Sequence, residues 1–148
     1  MESTINILVK NLDLAEYSNA KVSSSSIGWH IAHSLLVIIK ISHAVKKSNE
    51  EAYKSTFSKQ KFFVFLFGKF PRGKAKAPEE VTPNQYYKEE LNQLYEEALK
   101  AINLLKLANK NQYFNHPIFG NLNKKATIRF LQIHTNHHIS IINDILQN

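Results

Sequence analysis

The chain has 148 residues, 43% of them hydrophobic and 21% charged, enough for one domain with a sizeable core. Only four glycines and four prolines occur, and no segment repeats at a fixed period, which excludes collagen-like, linker-like and solenoid organisations. Cysteine is absent, so disulfides, thiolate-bound zinc, iron–sulfur clusters and a cysteine nucleophile are excluded, and seven histidines remain as the softest ligands.

The formal net charge of +7 is unevenly placed. Lys59, Lys61, Lys69, Arg72, Lys74 and Lys76 fall in one window without an acid, while the rest is close to neutral. The basicity is therefore local, and nucleic acid is not an expected partner. Met-Glu-Ser-Thr at the start has an acid where a secretory leader carries positive charge, and a cytoplasmic location is expected. Val22 to Ile39 is the longest stretch free of Lys, Arg, Asp and Glu, but its serines and histidines make it a poor membrane span. It reads as a core helix, with no membrane contact.

Ile5, Leu8, Val9 and Leu12 follow the spacing of one helical face and predict a first helix that ends before Tyr17. The serines at 23 to 26 offer N-caps for a second helix through Trp29, His33 and Val37 to about Lys47. Its run Leu35-Leu36-Val37-Ile38-Ile39 predicts burial on several faces. Asn49 to Pro83 reads as a long crossover with one short aromatic-rich helix around Phe62–Phe67. Gln85 to Leu107 returns to helical spacing as a third long helix, with Leu91, Leu94, Tyr95, Ala98, Ile102 and Leu105 on one stripe. A loop containing Asn115–Gly120 follows, and Asn123 is placed to cap a final helix through Leu146. Lys124 and Lys125 in its first turn oppose the helix dipole. The expected fold class is all-α, a four-helix bundle in a single domain, 1–148, with no strand pattern strong enough to compete.

The final helix carries His134 and His138, four apart and one turn above one another. At about 100° per residue, Leu131, His134, His138, Ile141 and Ile145 share a sector about 80° wide, so both imidazoles point into the core. Buried imidazole nitrogens need partners, and a divalent ion is one. A third ligand must come from elsewhere: His33 shares a stripe with Trp29, Leu36 and Val37, and His30, three residues earlier, competes on nearly the same face. His43 reads as solvated or as complementing the helix dipole, and His137 lies about 80° off the stripe, where it packs, hydrogen-bonds or shuttles protons.

Ser26-Ile27-Gly28 with His33, the run His116-Pro117-Ile118-Phe119-Gly120-Asn121-Leu122, and His134-Thr135-Asn136-His137-His138 together resemble the DinB-like superfamily, which includes YfiT-like metal-dependent enzymes. The crossover Gly68 to Pro78 is similar to a subgroup described as a domain of unknown function. The resemblance covers nearly the whole chain. It implies an up-down-down-up four-helix bundle, a homodimer, and a divalent metal, zinc or nickel, held by His33, His134 and His138. His116 belongs to the loop motif as a packing residue or a support for the metal ligands.

Three functions follow as expectations. The first is a metal-dependent S-transferase that takes a low-molecular-weight thiol at an open coordination position and attacks a small-molecule substrate. The second is a metal-dependent hydrolase, which needs an acid or base that the sequence does not nominate near the histidines. The third is a non-catalytic binding module built on the basic, phenylalanine-rich window. Arg72, Lys74 and Lys76 are also candidates for a cationic loop over the metal pocket that holds a substrate anion, beside the plainer reading of a solvated loop.

Overall fold

The structure is a computed structural model that describes residues 1–72, 78–83 and 88–147. Among these the chain is mostly helical, with five α-helices and one two-stranded antiparallel sheet. Helix α1 spans Glu2–Leu8 and continues as a 3-10 turn through Val9–Leu14, broken by non-helical backbone at Asn11. Helix α2 is Ile27–Lys47, and the Ser26 side chain caps it by accepting the Trp29 N–H at 3.3 Å. Its long apolar run is buried on several faces, with Ile27, Ile31, Leu35, Ile38 and Val45 fully enclosed.

The crossover carries the expected short helix, α3, Lys59–Phe67, capped by Ser58 and ended by Gly68. A 3-10 turn at Glu79–Val81 precedes α4, Lys88–Lys106. The predicted start of that helix, residues 85–87, and the crossover residues 73–77, Lys74 and Lys76 among them, lie outside the described residues. Helix α5 is Lys124–Gln147, and Asn123 caps it by accepting the Ala126 N–H at 3.0 Å. Helix α2 packs on α4 and α5, and α1 packs on the same two. Ile31, Leu35, Leu91, Ile102, Leu131 and Ile142 fill the core.

One expectation is corrected. The loop before α5 is a hairpin, β1 Tyr113–His116 and β2 Gly120–Asn123, with Phe114 opposite Leu122 and His116 opposite Gly120. Four-residue strands are too short to show alternation in sequence, and what stabilises these lies far along the chain. The Tyr113 N–H donates to Ser48 Oγ at 2.8 Å, the Asn121 N–H to Thr56 Oγ1 at 2.8 Å, and Gln112 Nε2 to the Lys46 carbonyl at 2.7 Å. The dipole penalty assigned to Lys124 is likewise offset: its Nζ donates to the Lys106 and Ala108 carbonyls, at 2.6 and 2.9 Å, and so closes the C-terminus of α4.

Gly120 and Gly68 both have left-handed backbone, φ 68° and 64°. A Cβ on Gly120 would stand 2.2 Å from Thr56 Oγ1, whereas one on Gly68 would meet nothing within 4 Å. Gly68→Ala should therefore cost only the backbone strain, roughly 1–2 kcal/mol, and Gly120→Ala roughly 2–4 kcal/mol because Thr56 must also move. Urea denaturation of the two variants measures the difference, and equal losses would show that the hairpin does not rest on that contact.

Candidate metal centre

Helices α2 and α5 bring their histidines face to face. The Ser26 cap sets the first turn of α2, so that Trp29, His30 and His33 follow within two turns, and both histidines are buried. From α5, His138 is buried and His134 is partly so. One ring nitrogen from each of His33, His134 and His138 lies within 4.8 Å of the other two, a group that could hold a metal ion. The spacing is chemically apt. Two nitrogens bound at about 2.0–2.1 Å to one tetrahedral zinc stand about 3.3–3.4 Å apart, and His33 Nε2 and His134 Nε2 are 3.3 Å apart.

The outer nitrogens explain how the rings are held. His33 Nδ1 lies 2.7 Å from the Val81 carbonyl, which can only accept, so Nδ1 carries the proton and the neutral ring keeps its lone pair on Nε2. Trp29 stacks flat on His33, with centroids 4.9 Å apart and planes 9° from parallel. His138 Nδ1 is 2.9 Å from His30 Nδ1, and His30 Nε2 is 3.0 Å from Ser23 Oγ. Protons placed on His30 Nε2 and His138 Nδ1 satisfy both contacts and leave the lone pair of His138 on Nε2. His134 Nδ1 is buried without a hydrogen-bond partner. The donor set is therefore three neutral imidazoles, and they fit a divalent first-row transition-metal cation.

His33 thus joins the α5 pair, and His30, its competitor in the sequence, sits behind His138 as its hydrogen-bond partner. Neither Val81 nor Ser23 has a signal in sequence, since one acts through its carbonyl and the other through a seven-residue reach to His30. His43 is exposed, as expected. His116 supports the hairpin turn: its Nδ1 accepts the N–H groups of Ile118 and Phe119 at 3.1 and 3.2 Å, and its ring stacks on Phe119.

A cleft of about 350 Å³ lies beside the group, lined by Gly68, Lys69, Phe70, Arg72, Asn136, His137 and Ser140. Phe70 forms the wall between them, with its ring 6.1 Å from that of His134 and 5.8 Å from that of His137. Arg72 is fixed there by Asp144 at 2.7 Å and Ser140 Oγ at 2.9 Å, while the other two cations of the expected loop lie outside the described residues. No carboxylate belongs to the metal-competent group among the described residues.

Burial keeps these rings neutral. It pushes His30 and His116 down to about 4. His33 and His137 are also lowered by burial, the first partly offset by its bond to Val81, the second further lowered by Arg72. His134 and His138 fall well below the usual histidine range through burial and then through neighbouring imidazoles.

The family model described as the DinB superfamily matches residues 2–142, and the chain belongs to that superfamily. No curated protein and no solved structure matches it.

Every shifted histidine has a folded pKa below its unfolded value of about 6.5, so the unfolded chain takes up more protons as the pH falls. The stability that the neutral rings contribute is complete above about pH 6.5 and is lost as the pH drops toward 4. Urea midpoints with a chelator present should fall steadily between pH 7 and 4.5. His116→Asn, which can still accept from the turn but does not titrate, should flatten part of that slope. A slope unchanged in His116→Asn would remove His116 from the account.

Proposed function

We propose that this member of the DinB superfamily is a divalent-metal protein whose ion is held by His33, His134 and His138, with one coordination direction left for water or substrate. The observation that carries the reading is the convergence of three imidazole nitrogens, from helices about a hundred residues apart in sequence, within 4.8 Å. The ring of contacts among α1, α2, α4 and α5 supports an up-down-down-up four-helix bundle as the scaffold.

A divalent cation held there would make a bound water or thiol easier to deprotonate. The chain supplies the rest. The Val81 carbonyl fixes the tautomer of His33, and His30 with Ser23 orients His138. Trp29 and Phe70 shield the cluster from water on two sides, the first by stacking on His33 and the second by edge contact with His134. The cleft is room for a small molecule next to His137, which is placed to take or return a proton, and a turn of the Phe70 side chain would connect it to the ion.

We assign the activity as transfer of a low-molecular-weight thiol to an electrophilic small molecule. The reason is the donor set: no carboxylate accompanies the three rings among the described residues, so hydrolysis would rest on His137 alone as acid and base, whereas a thiol made acidic by the cation needs no further group to attack. Hydrolysis remains the second reading, with His137 as its proton carrier.

Protein purified without an affinity tag should contain about one zinc or nickel per chain, and His33→Ala, His134→Ala or His138→Ala should lower this to under about a tenth. His30→Ala should retain the ion but bind it about 10–100-fold more weakly in chelator competition. Equal metal content in all proteins would overturn the assignment. With metal, a small thiol and a generic electrophile, loss of thiol supports transfer, and product formed without thiol supports hydrolysis.

A further inference from the structure

Helix α3 presents an apolar face that nothing among the described residues covers. Phe62, Phe63, Leu66 and Phe67 point outward from it and Phe57 precedes it, each between 53% and 79% exposed. Their rings form one patch: Phe62 meets Phe63 edge-on at 5.5 Å, and Phe63 stacks with Phe67 at 6.3 Å. Scattered surface phenylalanines need no explanation, but a contiguous cluster marks an interaction site.

The platform beneath the patch is fixed. Ser58 caps the first turn, Gly68 ends the helix in left-handed backbone, and Val64 is buried. Arg129 of α5 donates to the Phe65 carbonyl at 2.5 Å and lies over the Phe65 ring, with 5.3 Å from its guanidinium carbon to the centroid. Exposure of the outward face is thus a property of a docked, capped helix.

Charge selects the occupant. Lys54 and Lys59 are exposed just before the patch in sequence and Lys69 just after it, where it also lines the cleft, and residues 52–78 contain no Asp or Glu. A second copy docking through the same face about a two-fold axis would bring two basic segments together with no carboxylate of residues 52–78 to offset them. Single-stranded nucleic acid would need ring faces open for successive bases, whereas Phe63 and Phe67 turn a face each toward one another. An anionic phospholipid surface meets both features, since the acyl boundary takes the rings and the lipid phosphates take the cations. No helix among the described residues is long and apolar enough to cross a membrane. A nine-residue helix lying in the interface has no need to.

We infer that α3 is a peripheral membrane-docking helix that binds anionic phospholipid bilayers through Phe57, Phe62, Phe63, Leu66 and Phe67, with Lys54, Lys59 and Lys69 at the headgroups. This inference does not depend on the metal centre. Because the side chains are exposed, they can be changed without touching the core.

The full-length chain is sedimented with vesicles of phosphatidylcholine alone or with a third phosphatidylglycerol, at 50 and 500 mM salt. Binding is expected to the anionic vesicles at low salt, at least tenfold weaker to the neutral ones, and weaker at high salt. Phe63→Ser/Phe67→Ser and Lys54→Glu/Lys59→Glu should each reduce partitioning at least tenfold with the thermal midpoint within a few degrees of the parent. In a Phe67→Trp variant, indole emission should shift to the blue on adding anionic vesicles. Absence of binding at low salt, or binding that survives Phe63→Ser/Phe67→Ser, would overturn the inference. So would a dimer in sedimentation velocity that the same pair of substitutions abolishes, or retention on single-stranded DNA as strong as on vesicles.

Discussion

The structure depends on the cost of enclosing imidazoles. Each neutral ring brings one nitrogen that must donate and one that must accept, and in an apolar seam neither can turn to water. The fold meets most of these needs from unrelated places. Val81 gives a carbonyl to His33, Ser23 and His30 together serve His138, and the turn amides of Ile118 and Phe119 serve His116. At the centre of the cluster His33 Nε2 and His134 Nε2 face each other at 3.3 Å. With the His134 proton on Nε2 that contact is a single hydrogen bond; with it on Nδ1 both nitrogens present lone pairs, and a shared cation is the partner that satisfies them.

The same constraint explains why the site sits on helices. Loops hold side chains loosely, while a capped helix fixes the direction of every side chain along it. The Ser26 cap sets α2, Asn123 sets α5, and Lys124 ties the start of α5 to the end of α4. Trp29, stacked on His33, leaves that ring little rotational freedom. The histidine cluster is therefore shaped by the fold itself, and an ion entering it would meet little ordering cost.

Much of this was legible in sequence because it is local. The 3.6-residue period located the long helices, serine and asparagine marked their starts, and the four-residue spacing of His134 and His138 placed both on the inner face of α5. Spacing could not separate His30 from His33, because residues three apart on a helix point nearly the same way. What separates them is tertiary: the Val81 carbonyl reaches one and Ser23 the other. The hairpin was hidden for a related reason. Its strands are short, and its partners at Ser48 and Thr56 lie about sixty residues away, where no local pattern records them.

The crossover shows most clearly how position divides one composition into two roles. Its phenylalanines look alike in sequence, yet Phe65 and Phe70 turn inward to pack beside Phe119, while Phe62, Phe63 and Phe67 turn outward. The inward pair needs no explanation beyond the core, and Phe70 also walls the histidine cluster. The outward set contributes nothing to that core and exposes the unfolded and folded chain alike to association. Folding alone would favour polar residues there, as on the outer face of α4, where Glu89, Glu96 and Glu97 stand. Helix α3 departs from that pattern while being capped at both ends and clamped by Arg129, so its outer surface answers to a contact beyond the chain itself.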